Sequence, residues 1–124
     1  MIALFGESEK GSGKVPYYIS NLDDLLNTLG SPPFNSLGLV YAIQSLMHKK
    51  DIIYFKVQEE GYNIDDYKPG VKYLFKNENI KNLEAIFMPK VGDREIIDLT
   101  DPLLQKSKSI LIISEKDLFD YLVS

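Results

Sequence analysis

Residues 51–57 read Asp51-Ile52-Ile53-Tyr54-Phe55-Lys56-Val57. The run is β-branched and aromatic, almost continuously apolar, and too short for a helix. A strand with one wet face alternates apolar and polar residues. One that is apolar throughout must be covered on both faces, as strands of parallel sheets are. Parallel neighbours need crossover connections, usually helical. The stretch therefore predicts helices before and after it in the chain, and both flanks supply them.

Upstream, Leu37 to His48 carries Leu39, Val40, Ala42, Ile43, Leu46 and Met47 on one broad stripe, with Lys49 and Lys50 at its end, where a helix dipole favours cations. Before it, Ser20-Asn21-Leu22-Asp23 reads as a capping box, and Leu22, Leu25, Leu26 and Leu29 keep helical spacing. Gly30 stops that helix, and Pro32-Pro33 forbid continuation. Ile2 to Phe5 is a short buried strand, and the polar Gly6 to Lys14 segment is a loop.

Downstream, Gln58-Glu59-Glu60-Gly61 ends the strand, and Asn63-Ile64-Asp65-Asp66 starts a helix that Pro69-Gly70 should kink or split. After a turn-rich segment from Asn77 to Asn82, Leu83 to Met88 is a third strand. Pro89-Lys90-Val91-Gly92-Asp93 is a loop, and Glu95 to Leu99 begins a helix interrupted at Thr100-Asp101-Pro102. There Asp101 and Pro102 read as a fresh cap for a piece with Leu103-Leu104. Ile110 to Ile113 is a fourth strand; Ser114-Glu115-Lys116-Asp117 caps a last helix with Leu118, Phe119, Tyr121 and Leu122 inside.

The order is β-α-α-β-α-β-α-β-α. It predicts a single α/β domain over 1–124: three layers, α/β/α, around about four mostly parallel strands. The layout resembles Rossmann-like and flavodoxin-like domains, and the resemblance stops at layout. Edges of so small a sheet need a helix, a loop or a second copy of the chain over them, which makes a homodimer an expectation.

Composition removes several function classes. The chain has 124 residues and no cysteine, so disulfides, cysteine zinc sites and thiol catalysis are excluded. The one histidine, His48, stands at a helix end beside Lys49 and Lys50, where it complements the dipole rather than serving a catalytic triad. A net charge of −4 argues against phosphate-gripping nucleic-acid binding and against a polybasic membrane contact. No apolar run spans a bilayer, and Met1 leads into Ile2-Ala3-Leu4-Phe5 without a basic leader, so a cytoplasmic location is expected.

The first loop imitates a phosphate-binding motif and fails it. Gly13-Lys14 matches the end of a P-loop, but Ser8 stands at the first glycine, Val15 at the hydroxyl position and Pro16 where a helix should run. Gly11-x-Gly13 lacks the third glycine of the dinucleotide pattern, since Pro16 occupies it. A weaker expectation survives, because open parallel sheets bind ligands beyond the carboxyl ends of their strands. The candidate ligand-binding residues there are Gly6, Glu7, Ser8, Gly11, Ser12, Gly13, Lys14, Glu59, Asp93, Ser114 and Glu115. Of these, Glu7, Glu59, Asp93 and Glu115 are carboxylates that could converge on a metal or do acid–base work, and Ser114 heads a helix that could hold an anion. Capping alone also accounts for Asp93 and Ser114.

Eight tyrosines are present, and Tyr17, Tyr18, Tyr62 and Tyr67 fall in or beside rim loops, where packing over the sheet ends or a contact surface accounts for them. Asp23-Asp24 and Asp65-Asp66 sit in first turns of helices and suit the dipole; neither they nor Glu59-Glu60 read as a catalytic dyad. The leading expectation is a non-catalytic interaction or regulatory module, working through a protein partner or self-association and needing no metal or cofactor. The alternative is a small-molecule or phosphate-binding protein, or a small enzyme, with its site at the strand ends.

Overall fold

A computed structural model describes residues 1–77, 80 and 82–124. The expected turns over 77–82 lie partly outside these. The elements are β1 (Ile2–Gly6), β2 (Pro16–Ile19), α1 (Leu22–Leu29), α2 (Gly38–Met47), β3 (Ile52–Lys56), α3 (Ile64–Lys76), β4 (Ala85–Phe87), α4 (Arg94–Ser107), β5 (Ile110–Ile112) and α5 (Glu115–Val123). They build one sheet in the order β2-β3-β1-β4-β5. β1 pairs parallel with β3 and β4, and β4 pairs parallel with β5. The α/β expectation holds, with one more strand than expected.

That strand, β2, runs antiparallel to β3, with Pro16 opposite Phe55 and Ile19 opposite Ile52. A proline at the first position of a four-residue edge strand is permitted, because only one side needs donors. The same proline hides the strand from sequence patterns.

Alternate strand residues feed two cores. Ile2, Leu4, Ile52, Tyr54 and Phe87 pack under α1, α2 and α5 through Leu25, Leu29, Leu39, Leu118 and Leu122. Ala3, Phe5, Ile53, Phe55 and Ile86 pack under α3 and α4 through Tyr67, Val71, Leu74, Ile96 and Leu103. Every residue of β3 from Ile52 to Phe55 is buried, as a two-faced strand requires. Each such side chain contributes on the order of 1.5–3 kcal/mol by leaving water.

Both prolines expected to break helices are absorbed. α3 runs through Pro69 and α4 through Pro102. Each removes one bond to the residue four earlier, Asp65 or Asp98, and both of these are exposed, so water can satisfy the freed carbonyl. The buried stripe on the other side keeps each helix in register. At Asp101 no new helix starts. Gly70 lets α3 lie close to the sheet: a Cβ there would stand 2.5 Å from Phe5 Cε2 and 2.9 Å from Phe55 Cδ1. The N-cap of α1 is Asn21 rather than Ser20, its side chain accepting from the Asp24 amide at 2.9 Å.

Candidate functional site

From β1 the chain steps outward to β3, then returns past β1 to β4. The order reverses at β1, so the carboxyl ends of β1 and β4 form the crevice where open α/β sheets place ligands. A cleft of about 420 Å³ opens there, lined by Glu7, Phe34, Asn35, Glu59, Glu60, Tyr62 and Lys90. Glu7 follows β1, Glu59 and Glu60 follow β3, Lys90 follows β4, and Phe34 and Asn35 precede α2.

The floor of this cleft is built around Glu60, 1% exposed. Its Oε2 accepts the amide of Gly38 and the amide of Glu7, each at 2.9 Å, and its Oε1 accepts the Leu37 amide at 2.8 Å. The Glu60 amide in turn donates to Glu7 Oε2 at 3.0 Å, and Tyr54 Oη donates to the Glu7 carbonyl at 2.8 Å. α2 explains the need. Its N-cap, Leu37, offers no side-chain acceptor and its first turn holds no acid. A helix start exposes unpaired amides and partial positive charge, the usual seat of a phosphate. Here the chain's own carboxylate fills that seat.

Two glycines make room. A Cβ on Gly6 would stand 2.6 Å from Gly38 Cα and would also collide with Tyr54 Oη, and a Cβ on Gly38 would meet Gly6 Cα at 2.6 Å. Burial, reinforced by the carboxylates of Glu60 and Glu7, pushes the Tyr54 phenol well above its ordinary range. Burial likewise raises Tyr67 to about 12, against the lowering effect of the Gly61 amide that donates to its oxygen at 2.8 Å.

The sequence candidates divide into four groups. Glu7 and Glu59 meet in the strand-end cleft. Gly13 and Lys14 line a second cleft, about 350 Å³, with Lys56, Gln58 and Asp66. The rest of the first loop is fastened down. Lys10 donates its amide to Leu29 O at 2.9 Å, the Ser31 amide donates to Glu9 Oε1 at 3.0 Å, and the Ser12 amide donates to Tyr17 Oη at 2.7 Å. Ser8 is buried and donates to the Lys10 carbonyl, and Gly11 takes a positive φ of 95° in the turn.

Asp93 and Ser114 serve as caps instead. Asp93 accepts the Glu95 amide at 2.8 Å, and Ser114 accepts the Asp117 amide at 3.2 Å. Glu115 lies in the first turn of α5. Neither Asp93 nor Glu115 is among the residues that line the cleft holding Glu7. Among the described residues, no group of three or more His, Cys, Asp and Glu could hold a metal ion. Sequence reading missed Glu60, Phe34 and Lys90. The one signal for Glu60 was indirect: a helix beginning at Leu37-Gly38 with no cap or acid of its own.

The acid–base features at the far end of the sheet are structural. Glu84 receives the Met1 amino group at 2.7 Å, Lys50 at 2.8 Å and Tyr121 Oη at 2.7 Å. Burial pushes its carboxyl up, but the hydrogen bonds from these three outweigh it and hold the group at about 2. His48 caps the end of α2, its Nδ1 2.9 Å from Gln44 O. Among the described residues, no helix is long and apolar enough to cross a membrane.

Fold and site together define an α/β domain with a switch-point cleft whose anion seat is filled from within. Comparison with family models, with curated proteins and with solved structures gives no match to this chain.

Proposed function

We propose that the chain is a non-catalytic interaction module that meets a protein partner at the carboxyl end of its sheet. Phe34 carries the reading. Its side chain is 92% exposed on the rim of the strand-end cleft, which it shares with Tyr62, 67% exposed. Isolated exposed apolar residues are ordinary, but two aromatic rings on one concave rim are the composition of contact surfaces. The filled anion seat beneath them favours a contact surface over a phosphate site. Glu7 and Glu59 border the cleft against a single lysine, Lys90, so a partner segment bearing a basic side chain fits best.

A photo-crosslinking side chain placed at position 34 tests the reading in cells. The expected result is one covalent protein adduct, weakened by Tyr62→Ala and absent when the crosslinker sits at exposed Lys72 on α3. No adduct at position 34 overturns it.

A second reading, an anionic small ligand, rests on the other cleft, which Lys14 and Lys56 line together with Gly13. Thermal unfolding against nucleotides, flavins and sugar phosphates tests it. Ligand at about 100 times its dissociation constant adds roughly 2.7 kcal/mol, a shift of several degrees. A shift lost in Lys14→Ala supports this reading, and a flat panel removes it.

A further inference from the structure

The two edges of the sheet differ in protection. β2 opens with Pro16, which has no donor, and its Tyr18 hydroxyl is tied to that of Tyr73 at 2.6 Å. Among the described residues, the β5 edge shows no such device. Ile110-Leu111-Ile112-Ile113 contains neither charge nor proline, the usual guards of an edge. Within the sheet, Ile110 donates its amide to Glu84 O at 3.2 Å, and Ile112 O accepts the Met88 amide at 2.9 Å. Backbone groups alternate sides along a strand, so the amide and carbonyl of Leu111 point away from β4.

Apolar side chains flank this open row. Ile110 is 49% exposed and lies on the face that α5 covers. On α5, Leu118 and Leu122 point into the core, and Tyr121 leans inward to Glu84 beside β4. By helical spacing Phe119 and Val123 fall on the flank of α5 opposite Tyr121, and they are 51% and 53% exposed.

We infer that the chain forms a two-fold homodimer by antiparallel pairing of β5 with β5 of a second copy. The axis passes at Leu111, whose outward amide and carbonyl bond those of the other Leu111, joining the sheets into one. A perpendicular two-fold keeps both α5 helices on the same side, so the Phe119 and Val123 flanks meet over the seam and leave water together. Charge selects this arrangement. Lys108 precedes the strand and Glu115 follows it, so antiparallel pairing brings each lysine to the end where the other copy's glutamate stands, whereas parallel pairing sets like on like. The surface is distinct from the strand-end cleft, and the inference does not depend on that cleft's partner.

Light scattering across a concentration series, together with a cysteine cross-link, tests it. Because the chain has no cysteine, Leu111→Cys carries a single thiol. Its Cα lies about 5.5 Å from its counterpart in such a pair, within disulfide reach. The expected results are a mass of two chains for the native protein and a disulfide dimer for Leu111→Cys on oxidation. A cysteine placed at exposed position 72 on α3 keeps the two-chain mass but gives no disulfide dimer. Ile110→Lys and Phe119→Glu change solvent-facing positions and should weaken association about tenfold or more, with helix content unchanged. A native monomer at every concentration overturns the inference. So does a dimer that survives both charged variants and gives no cross-link at position 111.

Discussion

Glu60 shows how one side chain can hold a fold and change what its cleft can bind. Removing its carboxylate in Glu60→Ala leaves the amides of Glu7, Leu37 and Gly38 without their acceptor. The expected loss is about 3 kcal/mol or more, read as a fall in melting temperature of roughly 10 °C. The same variant opens the anion seat, so formate or acetate should raise its melting temperature and leave the native protein unmoved. Failure of this rescue would mean that the amides find other partners. Glu84 makes a pH prediction. Its carboxyl is held at about 2 against an ordinary 4.5, so its contribution is present above 4.5 and is lost as pH falls from there toward 2. Acid unfolding of Glu84→Gln should show a shallower slope across that window.

Among the elements, caps and stripes were the most legible. Ser114 caps α5 through Asp117 as its spacing foretold, and Ser114→Ala should lower stability by about 1 kcal/mol in denaturant titration. The prolines were the least legible. Pro69 and Pro102 each carry a local penalty that sequence can see, but whether the helix survives depends on the buried stripe opposite and on where the freed carbonyl points. Both facts are tertiary. Gly70 is the counterpart: an unfavourable helix residue by propensity, retained because α3 presses its backbone against Phe5 and Phe55. Gly70→Ala, favourable in an isolated helix, should here destabilise by about 1–3 kcal/mol, because two packed rings must shift.

Across the whole molecule, one buried and one half-buried phenol, Tyr67 and Tyr121, couple stability to alkaline pH. Burial raises Tyr67 and Tyr121 to about 12, the bond to Glu84 adding to the effect at Tyr121. The unfolded chain ionises these groups near 10, so their contribution is complete below 10 and is lost as pH rises toward 12. The tyrosinate absorbance owed to Tyr67 and Tyr121, read as the difference from Tyr67→Phe and Tyr121→Phe, should therefore rise together with loss of the helical circular dichroism signal. Ionisation of these two phenols in a chain that keeps its helical signal would contradict this.

Local pattern alone was enough for the alternation of strands and helices, the double-faced burial of Ile52 to Phe55 and most helix starts, because periodicity and capping act within a few residues. It was also enough to exclude thiol chemistry and a P-loop, since those need residue types that are missing. Strand order, the antiparallel β2, the entry of Phe34 and Lys90 into the cleft with Glu7 and Glu59, and the closing of the anion seat by Glu60 were beyond it. Each depends on residues far apart in the chain: Glu60 meets Leu37 across 23 positions and Glu7 across 53. Such meetings follow from which faces pack against which, and that is settled by the energy of the assembled core rather than by any local run of residues.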